Sequence, residues 1–72
     1  MANRGFTPKK ARDMVDLIEK AAAGGDDEAA HGIEDDLRKA ALEAIADGSP
    51  QPKALARIAL STSRIEFKRS CA

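Results

Sequence analysis

Residues 33–48, IEDDLRKAALEAIADG, carry the clearest helical pattern of the chain. Their apolar positions recur at helical spacing and form a single stripe, made of Ile33, Leu37, Ala40, Ala41, Ala44 and Ile45. Asp47 and Gly48 follow, and a glycine at this position is typical of a helix end. The stretch therefore predicts a helix over residues 33–47 whose apolar stripe faces a core.

The start of this helix has two interpretations, because acidic residues stand on both sides of Gly32. A helix that begins near Asp26 must include Gly32, which costs about 1 kcal/mol relative to alanine. A helix that begins near Gly32 has Glu34, Asp35 and Asp36 in its first turn, where the helix dipole favours negative charge. We expect the later start.

Another helix is predicted before this one. Thr7 can cap the free amides of a helix start, and Pro8 is tolerated at the first helical position. The apolar residues that follow recur at helical spacing until Gly24. We therefore expect a helix over about residues 8–23.

A third helix and a tail are predicted after the central helix. The prolines of Ser49-Pro50-Gln51-Pro52 indicate a tight connection, and the apolar spacing predicts a helix over about residues 52–61. Residues 64–69 alternate polar and apolar side chains, which is the period of an extended segment. We expect one all-α domain over residues 1–72, a small three-helix bundle with a short extended C-terminal segment packing on the helices.

Composition argues for an intracellular domain without chemistry of its own. The only cysteine, Cys71, has no second cysteine to form a disulfide, which favours a reducing compartment. No apolar run has the length of a membrane span, and the first residues lack the apolar stretch of a signal peptide. His31 is the only histidine, and no spacing matches a metal or phosphate-binding motif. We expect a cytoplasmic protein that is not an enzyme and holds no metal or cofactor.

Charge is sorted along the chain although the net charge is zero. Residues 1–23 carry 5 basic and 3 acidic side chains, residues 24–48 carry 2 and 8, and residues 49–72 carry 5 and 1. Such sorting can steer association with a charged partner, or the acidic middle can pack against its basic flanks. The internal explanation is slightly favoured.

Two leucines fall outside the apolar stripes of their helices. At about 100° per residue, Leu42 lies roughly 140° from Leu37, and Leu60 stands in the same relation to Leu55. Around Leu42 the helical spacing places Asp35, Arg38 and Lys39, so that an apolar residue has a polar rim, as at a protein interface. An interface there and burial of either leucine under the tail are about equally supported.

The central and third helices also invite a helix-turn-helix reading, with the third helix in the major groove of DNA. The candidate contacts are Lys53, Arg57, Arg64, Lys68 and Arg69. Against it, the turn holds two prolines, and the central helix is strongly acidic. DNA binding therefore stays the alternative hypothesis.

The first hypothesis is a non-enzymatic module that binds another protein through Leu42 and Leu60. Rich in alanine, arginine and aspartate, the chain has the composition of a bacterial or bacteriophage gene product. We expect an accessory protein that inhibits or adapts a larger host complex, and anti-CRISPR-type inhibition is one instance of that class. A homodimer through the same leucines is compatible with either hypothesis.

Overall fold

The computed structural model describes residues 5–69, and all regular structure in this range is helical. The three α-helices are α1 (Pro8–Ala23), α2 (Asp27–Ala46) and α3 (Pro52–Ser61), and a 3-10 turn (Thr62–Arg64) follows α3 directly. The expected all-α three-helix bundle is thereby confirmed. Residues 65–69 form no regular structure, and Ile65 and Phe67 are partly buried against the helical core.

Helix α1 has the bounds predicted from the sequence. Thr7 has extended backbone angles, and its Oγ1 accepts a hydrogen bond from the backbone amide of Lys10 at 3.3 Å. Pro8 occupies the first helical position, where the missing amide costs nothing. Gly25 follows the helix with φ of +80°, a conformation that suits glycine, and turns the chain toward α2.

Helix α2 begins at Asp27, so the expected start near residue 33 was wrong. Asp26 provides the reason, because its Oδ1 accepts a hydrogen bond from the backbone amide of Ala29 at 3.1 Å. Asp27 and Glu28 add negative charge to the first turn. Cap and dipole together outweigh the cost of about 1 kcal/mol for Gly32 inside the helix.

The connection from α2 to α3 reverses the chain at Gly48, which has φ of +89°. The amide of Ser49 then donates to the carbonyl oxygen of Ala44 at 2.9 Å, which closes the end of α2. Pro52 begins α3, as the sequence predicted. Because the connection is short, α3 packs beside α2 and forms a groove with it.

Small side chains dominate the core. Its buried apolar residues are Ala11, Ile18, Ala30, Leu37, Ala41, Ala44, Leu55 and Ala59. Alanines at helix contacts let the backbones approach closely, but they bury little apolar surface. The fold therefore depends on partly buried residues at its edges, among them Ile65 and Phe67 of the tail.

Two glycines should respond oppositely to alanine. Gly32 lies inside α2, and a Cβ added there meets no atom within 4 Å, so Gly32→Ala should stabilise the fold by about 0.5–1 kcal/mol. Gly48→Ala should destabilise it by about 1–2 kcal/mol, because alanine is strained at a positive φ. Urea unfolding of both variants measures the two changes, and shifts of the same sign would contradict this account.

Candidate functional site

An open apolar groove of about 240 Å³ lies between α2 and α3. Helix α2 contributes Arg38, Ala41, Leu42 and Ile45 to its walls, and α3 contributes Ala56, Ala59 and Leu60. Among these lining residues Arg38 alone is charged. The groove therefore offers apolar surface and a single guanidinium, which is the chemistry of protein contact.

Leu42 and Leu60 protrude on opposite walls of this groove. Their exposed fractions are 67% and 68%, although both are large apolar side chains. Between them lie alanines, of which Ala41 and Ala59 are buried. The position of each leucine follows from helical geometry, because Leu37 and Leu55, five residues earlier, are the ones that face the core.

The polar residues predicted around Leu42 divide into two groups. Arg38 lines the groove and leaves 43% of its side chain exposed. Asp35 and Lys39 are exposed on α2 but do not line it, and Asp35 Oδ2 lies 3.7 Å from Nε2 of His31.

Four residues that line the groove were not predicted to do so from the sequence: Ala41, Ile45, Ala56 and Ala59. Ile45 was assigned to the inner stripe of its helix, yet it is only partly buried and contributes to the wall. Ala56, from α3, was assigned no role. Helical spacing could have indicated Ile45 and Ala56, because residues three or four positions apart share a helix face. Ile45 lies three positions after Leu42, and Ala56 lies four before Leu60.

The basic residues proposed as DNA contacts are not gathered on one surface. Arg57 and Arg64 line an open groove of about 340 Å³ between α1 and α3. Arg12 lines it too, but so do Asp16 and Glu19, whose negative charges oppose a phosphate backbone.

The other proposed DNA contacts lie elsewhere. Lys53 is exposed in the first turn of α3, Lys68 is exposed in the tail, and neither lines the groove that contains Arg57. The guanidinium of Arg69 is directed into the protein, where it binds Glu34.

Glu34 is a buried carboxylate with a complete set of partners. Its side chain is 1% exposed. Oε2 accepts a hydrogen bond from Thr62 Oγ1 at 2.6 Å and from Arg69 Nη2 at 3.1 Å, and Oε1 accepts from Arg69 Nε at 3.0 Å. Such a two-pronged arginine–carboxylate contact is among the strong hydrogen-bonded pairs of proteins.

Arg69 also holds the tail through further hydrogen bonds. Its Nη2 also donates to the carbonyl oxygens of Thr62 at 2.8 Å and Ile65 at 3.0 Å. The guanidinium carbon lies 3.9 Å from the ring centroid of Phe67, in a cation–π contact. One arginine thus joins the tail to α2 and to the turn after α3.

The sequence analysis placed Glu34 in the first turn of the central helix and did not predict its burial. The signal was present, because Glu34 precedes Leu37 by three positions and Ala41 by seven, which puts it on the buried side of α2. What the pattern lacked was the partner, since Arg69 is 35 residues away in sequence.

The electrostatics of this carboxylate connect it to the groove. Burial raises the pKa of Glu34, but the hydrogen bonds from Arg69 and Thr62 and the nearby charge of Arg38 lower it, and the net pKa lies below the ordinary value. The hydrogen bond to Glu34 in turn raises the pKa of Arg69. Arg38 Nη2 lies 3.6 Å from Glu34 Oε2, so the groove residue stands beside the same charge.

Comparisons with known proteins give this chain no relatives. No family model, no curated protein and no solved structure matches it. Across residues 5–69, no three His, Cys, Asp or Glu side chains are arranged to hold a metal ion. In the same range, no helix combines the length and the apolar character needed to cross a membrane. The groove between α2 and α3 is therefore the feature from which a function can be proposed.

Removing the arginine of the tail should destabilise the fold strongly. We expect Arg69→Ala to lower the free energy of unfolding by about 3 kcal/mol, because it leaves a buried carboxylate without its closest charge partner. This is the low end of the range of about 3–5 kcal/mol for breaking a buried ion pair, because Arg38 stays near the carboxylate. The matched control is Lys68→Ala, an exposed neighbour that should change stability by less than about 0.5 kcal/mol. Equal losses for both variants, measured by urea unfolding, would argue against the contact.

Stability should also fall in acid through Glu34. Since the folded pKa of Glu34 lies below its ordinary value near 4.5, the ionised carboxylate stabilises the fold above that pH, and the contribution disappears as the pH falls through the folded pKa. Glu34→Gln cannot ionise, so wild type should be more stable than this variant at neutral pH and approach it in acid. Chemical unfolding across this pH range measures the difference, and a constant difference would contradict the assignment.

Proposed function

We propose that the chain is a non-enzymatic protein-binding module whose α2–α3 groove receives the apolar face of an amphipathic helix from a partner protein. One observation carries the proposal: Leu42 and Leu60, from two different helices, are both about two-thirds exposed and line the same groove. Large apolar side chains that share an exposed surface often mark an interaction site.

The shape of the groove suits a helix better than a small molecule. Two packed helices form its walls, and a third helix laid along such a groove presents anchors at positions i, i+3 or i+4, and i+7. Its volume of about 240 Å³ is below the range of about 300–1,000 Å³ that is typical of small-molecule sites. Apolar side chains of a partner would fill it, with the alanines receiving them between the two leucines.

The two leucines are the expected energetic centre of the contact. Full burial of a leucine side chain contributes about 1.5–3 kcal/mol. Interfaces commonly depend on a few such residues, surrounded by others that exclude water. Arg38, at the edge of the apolar surface, supplies the polar rim that such interfaces have.

The composition and the small size of the chain suggest a biological setting for this proposal. A bacterial or bacteriophage accessory protein that inhibits or adapts a larger complex in the cytoplasm needs a binding surface and no active site, and the groove supplies such a surface. Because the basic residues considered for DNA contact are dispersed, no geometric observation favours the DNA-binding alternative.

The groove leucines should be necessary for partner capture. Leu42→Asp and Leu60→Asp place a charge in the apolar groove and should abolish capture of a partner from a bacterial lysate. Leu17→Asp is the matched control, because Leu17 is 52% exposed on α1 and lines neither this groove nor those beside α1. Circular dichroism should show all three variants folded.

Support requires a captured protein that wild type and Leu17→Asp retain and both groove variants lose. A photo-crosslinking residue at position 42, and not at position 17, should then join to a helix of that protein. Capture that survives both groove variants would overturn the proposal. A dimer in light scattering that only the groove variants dissociate would also overturn it, because the occupant would be a second copy of this chain.

A further inference from the structure

We infer that the partner helix carries carboxylates beside its apolar anchors, and that Arg38 is the residue of this chain that binds them. The inference rests on the proposed function, because it names the chemistry of the helix that occupies the same groove. Two observations support it: the border of the groove is mainly basic, and Arg38 makes no hydrogen bond to Glu34.

The border of the groove is predominantly basic. Arg38 belongs to its lining. Lys39 and Lys53 are both exposed, and each stands three positions before a lining residue, Leu42 and Ala56 respectively, so helical spacing places both near the groove. These cations would oppose a basic helix and attract an acidic one.

The carboxylates of α2 do not cancel this charge. Within residues 5–69, Asp35 is the one exposed acidic residue that the same spacing places at this border, three positions before Arg38, against the three cations Arg38, Lys39 and Lys53. Glu43 and Asp36 lie roughly 140° and 160° around the helix from Arg38, so they belong to another face. The border of the groove therefore carries more positive than negative charge, although α2 as a whole is acidic.

Arg38 forms an ion pair with the buried carboxylate of Glu34 but no hydrogen bond to it. Its Nη2 is 3.6 Å from Glu34 Oε2, beyond hydrogen-bond distance, whereas Arg69 and Thr62 donate to the same carboxylate at 2.6–3.1 Å. Because these closer donors satisfy Glu34, the donors of Arg38 remain for another acceptor. A guanidinium at the edge of an apolar surface can bind an incoming carboxylate with two parallel hydrogen bonds.

A nucleic acid fits this surface less well than an acidic helix. Phosphate backbones are bound by several cations distributed along a polar surface. Here the lining contains Arg38 alone among charged residues, and two exposed leucines occupy the walls. The combination of apolar anchors and a basic border matches an amphipathic helix with acidic flanks.

Selection from a random library of helical peptides tests the inference without a known partner. Peptides that bind wild type and fail to bind Leu42→Asp are sequenced. We expect apolar residues at positions i, i+3 or i+4, and i+7, with Asp and Glu enriched at adjacent positions. Selection of basic or uncharged flanks would overturn the inference while leaving the groove as a binding site. The absence of any Leu42-dependent peptide would instead contradict the proposed function.

The affinity of one selected peptide then tests Arg38 directly. We expect Arg38→Gln to weaken binding about tenfold, as loss of a hydrogen bond to a charged group does. Arg38→Lys should retain part of the affinity, and Lys20→Gln on α1 should retain all of it. Added salt should weaken binding to wild type more than to Arg38→Gln. Equal affinities for Arg38→Gln and Lys20→Gln would overturn the role of Arg38.

Discussion

The contact between the buried carboxylate of Glu34 and the guanidinium of Arg69 is the constraint on which the other features depend. It joins the tail to α2 across 35 residues of sequence, and Arg69 also binds two carbonyl oxygens of the connecting segment. The tail matters because the core is made largely of alanine, and Ile65 and Phe67 add larger apolar side chains to it. A buried charge is costly alone, so this one requires its partner.

The same alanine-rich packing explains why an apolar groove remains open between α2 and α3. Few large side chains are used inside, and Leu42 and Leu60 are left on the walls of a groove with an alanine base. Glu34 and the groove lie on neighbouring sides of α2, with Arg38 between them. Because Arg69 and Thr62 provide the hydrogen bonds to Glu34, Arg38 makes none to that carboxylate and contributes its charge to the groove lining.

The sequence predicted the helix starts well where a cap residue or a first-turn proline agreed with the apolar spacing, as at Thr7 and Pro8 of α1 and Pro52 of α3. The early start of α2 was missed because the cost of Gly32 inside a helix was given more weight than the cap, in which Asp26 Oδ1 accepts a hydrogen bond from the amide of Ala29. The exposure of Leu42 and Leu60 follows from helical geometry, but their sharing of one groove depends on how α2 and α3 pack. That packing and the pairing of Glu34 with Arg69 are tertiary contacts between residues far apart in the sequence. Local sequence patterns therefore do not predict them.

The most direct test of this account is a titration of the Glu34 carboxyl carbon by NMR, in wild type and in Arg69→Ala. If the buried carboxylate is ionised and held by the tail, its pKa in wild type lies below that of an ordinary glutamate, and it rises when Arg69 is removed. A wild-type pKa at or above the ordinary value, unchanged by Arg69→Ala, would contradict the account.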